Sequence, residues 1–114
     1  MTAGLIGSAA PLAEAFDLAL VDLDGVAYRG PLPIDHAAPS LTGARDRGMR
    51  LVFVTNNASR EPEDVAAQLT GLDIPTSPDE VMTAAQAAAQ VLAARLERGS
   101  KVLVVGGAGL RTAV

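Results

Sequence analysis

Three short apolar runs rich in β-branched residues limit the fold more than any other feature: "DLALVDL" (17–23), "RLVFVT" (50–55) and "KVLVV" (101–105). Runs of this kind are the form taken by strands covered on both faces. Between the first two lies "IDHAAPSLTGARDRGM", where Asp35 is a candidate N-cap, Pro39 falls in a first turn and Gly48 is a natural stop. "SREPEDVAAQLTG" (59–71) predicts a second helix, with Pro62 near its start, acids in its first turn and Gly71 at its end. "TAAQAAAQVLAARLERG" opens on a capping-box pair, Thr83 and Gln86, and closes at Gly99. "SPDE" (77–80) offers a similar start, which leaves "EVMT" as a brief strand or a helical turn. Strands alternating with helices over short loops build βαβ units. The expectation is therefore an α/β fold with a parallel sheet and right-handed crossovers.

Composition narrows the class. A chain of 114 residues is enough for one domain but small for a sheet with helices on both faces. Apolar residues make up 49%, yet Phe16, Phe53 and Tyr28 are the only aromatics, so the core must be built from Ala, Val and Leu. Without cysteine there is no disulfide framework and no thiolate metal site. A net charge of −4 with no Lys/Arg cluster argues against a nucleic-acid or anionic-membrane surface. No apolar run is long enough to span a bilayer. The N-terminal "MTAGLIGSAAPLAEAF" lacks a basic leader region and contains Glu14, so it reads as a frayed arm and not a signal peptide. These features suggest a cytoplasmic domain, and they are compatible with a homo-oligomer.

In a parallel α/β sheet, ligands bind beyond the carboxyl ends of the strands. Those ends read "DLDGV", "TNNAS" and "GGAGL". Asp22 and Asp24 are separated by one residue, so in extended backbone both carboxylates face the same way and repel each other. No Lys or Arg follows closely in sequence to neutralise them until Arg29, which makes a bound cation the first explanation. Acids that hold a divalent cation, next to the hydroxyl and amides of Thr55, Asn56 and Asn57, suit a phosphate group held through Mg²⁺.

Other readings of these residues are simpler. Asp24-Gly25 is also a turn pair, and Thr55-Asn56-Asn57 alone suits a turn and helix cap. An EF-hand loop fails, because Gly25 is misplaced and Pro33 stands where the closing Glu belongs. Glu63 and Asp64 are first-turn acids favoured by the helix dipole. His36, the only histidine, receives no catalytic role. Arg60 could reach an anion or simply lie on the surface. "VVGGAGLRTA" misses the dinucleotide fingerprint, with Thr112 where the third small residue belongs.

"DLDGVAY" followed by "FVTNNAS" resembles the first two motifs of the haloacid dehalogenase superfamily of phosphohydrolases, and within it the NagD-like, 4-nitrophenylphosphatase-like branch. That branch includes phosphatases for phosphoglycolate, pyridoxal phosphate and glycerol 3-phosphate. "EVMTAAQAAAQVL" and "KVLVVGGAGL" sit where the branch has its next helix and strand, so the likeness runs from about residue 12 to the end. It implies a Rossmann-like three-layer core and a Mg²⁺-dependent phosphomonoesterase acting on a small phosphorylated metabolite. Asp22 would be the nucleophile that forms an aspartyl-phosphate, and Asp24 the general acid and base. The Asp22 carboxylate and the Asp24 carbonyl would hold the metal. Thr55, with backbone N–H groups of Gly25 and Asn56, would hold the phosphoryl oxygens, and Asn57 would brace the loop or touch substrate.

The resemblance also implies parts that this sequence does not contain. A later Lys and a later acidic pair are expected, but Lys101 precedes its strand and no Asp-Asp pair follows Thr55. The expectation is that residues 1–114 are the N-terminal part of a hydrolase core, with the cap and remaining core lying elsewhere. A non-catalytic phosphate- or Mg²⁺-binding module and a receiver-like phosphoacceptor domain stay open as alternatives.

Overall fold

The computed structural model describes residues 7–114. A short helix α1 (Leu12–Ala15) leads into strand β1 (Leu18–Asp22). A small hairpin follows, β2 (Tyr28–Arg29) and β3 (Leu32–Pro33). Then come helix α2 (Ala37–Asp46), strand β4 (Arg50–Thr55) and helix α3 (Pro62–Gly71). A 3₁₀ turn (Pro78–Glu80) leads to strand β5 (Val81–Thr83), helix α4 (Ala84–Arg95) and helix α5 (Ala108–Ala113). Strands β1, β4 and β5 form one parallel sheet in that order, so the α/β expectation holds.

The capping logic explains much of this path. Thr83 Oγ1 accepts the Gln86 N–H at 3.1 Å, and Gln86 Oε1 accepts the Thr83 N–H at 2.9 Å, so β5 passes into α4 through a complete capping box. Ser77 and Glu80 make a second box one element earlier, which resolves "EVMT" as a strand and not a helical turn. Gly48 ends α2 at φ +94°, a left-handed conformation that favours glycine.

Several expectations need correction. The N-cap of α2 is His36, at φ 68°, and not Asp35: the chain turns there while the Ala37 N–H bonds Ile34 C=O at 3.1 Å. Helix α4 stops at Arg95, short of Gly99, and the Ser100 N–H bonds Glu97 C=O in a separate turn. Part of the expected N-terminal arm is ordered as α1, which packs against α2; residues 1–6 of that arm lie outside the described residues. The largest correction concerns "KVLVV". Residues 101–105 join no sheet, and Leu103 and Val105 are 89% and 82% exposed. Propensity favours extended backbone there, but a strand also needs an edge in register. The short β5 takes the place beside β4 instead.

The core lies on one face of the sheet. Phe53, Leu23, Leu69, Ile74 and Val65 are fully buried, bringing β4, the end of β1 and α3 together. The opposite face is open: Leu20 is 71% exposed and Leu18 48%. The expected cover on both faces is therefore found on one. A Cα radius of gyration of 16.7 Å fits this, against about 13 Å for a compact chain of this length. Among the described residues, no helix is long and apolar enough to cross a membrane.

Candidate active site

The ladder register assembles the site. Asp22 pairs with Val54, so Thr55 lies one residue past it on the adjacent strand, and Thr55 pairs with Thr83 on the next. Parallel strands spaced about 5 Å apart thus bring the end of β1 and the end of β4 to one sheet edge.

Past Asp22 the chain folds back on itself. Leu23, fully buried, anchors the segment between the two acids. Its carbonyl accepts the N–H groups of Val26, Ala27 and Tyr28 at 3.0, 2.9 and 3.3 Å. Gly25, at φ +82°, donates its N–H to Tyr28 C=O at 2.8 Å. A side chain at that φ would be strained, which gives Gly25 a conformational reason to be glycine. Asp22 Oδ1 accepts the Leu23 N–H at 2.9 Å, and both acids are exposed.

Beyond β4 the loop is built from its own side chains. Thr55 Oγ1 accepts the Asn57 N–H at 3.1 Å, leaving the hydroxyl hydrogen free to donate elsewhere. Asn57 Oδ1 accepts from the Ser59 N–H at 2.9 Å and the Ser59 hydroxyl at 2.6 Å. Asn57 is therefore committed to loop structure through its oxygen, with its NH₂ group still available.

Asp24, Thr55, Asn56 and Asn57 line one cavity of about 750 Å³, together with Tyr28 and Arg60. Asp22 and Gly25 stand at the strand end without lining it. Burial raises the Tyr28 hydroxyl above its ordinary pKa; Arg60 opposes the rise, and Asp24 and Asp22 add to it. Tyr28, Gln68 and the Gly30-Pro31 turn, none of them assigned a role from the sequence, also border this cavity. The Gly-Pro pair between two short apolar stretches was the available signal for the hairpin.

The donor set suits a hard divalent cation. Two exposed carboxylates lie two residues apart at the end of β1, and neither forms an ion pair; the ion pairs among the described residues are Arg45–Glu80 and Arg47–Glu14. Among the described residues, no three His, Cys, Asp or Glu side chains come together as a fuller shell.

The glycines after residue 105 have a packing role. The Gly109 N–H bonds Ser59 C=O at 3.1 Å, and a Cβ at Gly109 would lie 2.4 Å from the Arg60 carbonyl oxygen. Helix α5 thus rests directly on the loop that follows Thr55. Gly109→Ala should cost about 1–3 kcal/mol by forcing backbone apart. Gly106→Ala meets only the tip of Leu110, at 2.9 Å, and should cost much less. Thermal melts of the two variants test the difference, and equal losses would contradict it.

A parallel sheet thus carries an acid pair at one strand end and Thr-Asn-Asn at the next. The chain belongs to the haloacid dehalogenase-like hydrolase family, which matches residues 19–114. It is 40% identical over 95 residues to the 5'-nucleotidase YutF of Bacillus subtilis, covering 83% of this chain and 37% of that protein. It is 43% identical over 95 residues to the D-glycerol 3-phosphate phosphatase of Mycobacterium tuberculosis, covering 83% and 26%. The crystal structure of glycerol phosphate phosphatase from Mycobacterium tuberculosis in complex with magnesium superposes with a TM-score of 0.85 at 40% identity, over 91% of this chain and 31% of that one. The chain thus spans about a quarter to two fifths of the length of the curated relatives it matches.

Proposed function

We propose that this chain supplies the nucleophile and phosphate-binding half of a Mg²⁺-dependent phosphomonoesterase acting on a small phosphorylated metabolite. The observation that carries the reading is the juxtaposition of Asp22 and Thr55 at adjacent parallel strand ends, with Asp24 in the adjoining cavity. The named phosphatases among the relatives, and the magnesium complex of one of them, support the substrate class and the ion.

In this mechanism an Asp22 carboxylate oxygen attacks phosphorus in line, the P–O ester bond breaks, and an aspartyl-phosphate forms. Asp24 gives its proton to the departing alkoxide, then takes one from the water that hydrolyses the acyl phosphate. The Thr55 hydroxyl and the Asn56 backbone N–H bind phosphoryl oxygens, orienting the group for attack. The Gly25 N–H, expected from the sequence to join them, is taken by Tyr28 C=O, and Gly25 serves the turn instead. Asn57 holds the loop that presents them. The Asp22 carboxylate and the Asp24 backbone carbonyl would hold Mg²⁺, which when bound offsets the repulsion between anionic nucleophile and anionic phosphate.

The role of Asp24 is separable from metal binding. In the complete gene product, Asp24→Asn should leave Mg²⁺ affinity nearly unchanged. It should lower turnover of an alkyl ester such as glycerol 3-phosphate on the order of 10²-fold or more, and of 4-nitrophenyl phosphate much less, because nitrophenolate leaves without protonation. Equal losses on both esters would refute the general-acid assignment. A module that only binds phosphate would release none from either ester.

A further inference from the structure

Among the described residues, Arg60 is the only cationic residue lining the cavity that holds Asp24, Thr55 and Asn56. It is half-buried and held by uncharged acceptors: Nη1 donates to Gln68 Oε1, and Nη2 to the Asp64 carbonyl at 3.1 Å. Gln68 in turn donates Nε2–H to Gly30 C=O at 2.9 Å, which ties Arg60 and α3 to the turn of the hairpin. No carboxylate pairs with Arg60 among the described residues.

A guanidinium has five N–H donors, and these contacts use two. Neutral partners fix its position without cancelling its charge. An arginine already immobilised loses little further side-chain freedom when an anion arrives, and its planar fork matches phosphate and carboxylate oxygens. Gln68 and the Asp64 C=O engage only part of the donor capacity of Arg60, which lines the cavity beside Asp24, Thr55 and Asn56 with its charge unpaired among the described residues. We propose that Arg60 is the anion-selecting residue of the site and contacts a negatively charged oxygen group of the phosphorylated ligand, either its phosphoryl oxygens or a second anionic group on the same molecule. The proposal rests on the phosphomonoesterase reading only for the class of ligand.

Calorimetric titration in Mg²⁺ buffer tests this on the complete gene product carrying Asp22→Asn, so that esters are not turned over, using inorganic phosphate, glycerol 3-phosphate and 3-phosphoglycerate. Arg60→Gln keeps a neutral donor and removes the charge, and it should weaken 3-phosphoglycerate by about tenfold or more. Arg60→Lys should retain most of the affinity. If phosphate and both esters weaken together, the contact is to the phosphoryl group; if 3-phosphoglycerate alone weakens, it is to the carboxylate. Either pattern supports the assignment. Unchanged affinities in Arg60→Gln, equal losses in Arg60→Lys and Arg60→Gln, or no binding by the parent that retains Arg60 would overturn it. Binding of these anions with the expected Arg60 dependence, together with no phosphate release by the wild-type gene product, would instead refute the catalytic reading alone.

Discussion

Asp22→Asn in the complete gene product is expected to lower phosphate release by several orders of magnitude while leaving the fold intact. The substitution preserves shape and removes the anionic oxygen proposed to attack phosphorus, together with one charge on the proposed metal side of the site. Asp22 sits at an exposed strand end, and its side chain accepts a hydrogen bond from the adjacent Leu23 N–H, which the amide can accept equally well. Melting temperature should therefore hold while turnover collapses. Steady-state kinetics with 4-nitrophenyl phosphate check this, and a variant with a tenth of wild-type turnover would show that another group attacks phosphorus.

The second large effect concerns residues 1–114 expressed by themselves. Strand β1 has β4 on one side and no strand on the other among the described residues, so a row of backbone N–H and C=O groups goes unpaired. Leu18 and Leu20 stand exposed on the same strand, and Leu103 and Val105 add apolar surface elsewhere. The buried core is one-sided and limited to a few large side chains around Phe53. This polypeptide should therefore aggregate, pair through β1 or unfold with weak cooperativity. Circular dichroism melts and sedimentation decide the matter. A monomer at high concentration with a sharp two-state melt would contradict the reading of β1 as an uncovered edge.

What could be read in the sequence depended on whether the signal was local. Strands β1 and β4, helix α3 and the Thr83–Gln86 box were legible because each rests on neighbours a few residues away: an apolar run, Pro62 at the helix start, a cap paired with its third residue. The family of the chain was legible for the same reason, since both motifs are short and follow their strands directly. "KVLVV" misled because strand formation is decided by a partner far along the chain, and β5, only three residues long, occupies the place beside β4. His36 displaced Asp35 as the N-cap through a left-handed turn, which composition does not signal for a non-glycine residue. Within the site, acids and amides announced themselves by spacing. The placement of Arg60 did not, because it depends on Gln68 and Gly30, whose contact spans 38 positions.

The central claim is that an aspartyl-phosphate forms on Asp22. It is tested most directly by mixing the complete gene product with Mg²⁺ and excess phosphomonoester, quenching with acid during steady turnover, and mapping the peptides by mass spectrometry. The account predicts a phosphoryl group on the peptide containing Asp22, present in the Asp24→Asn variant as well and absent in Asp22→Asn. A turning-over enzyme with no covalent phosphate, or with phosphate on any other residue, would contradict it.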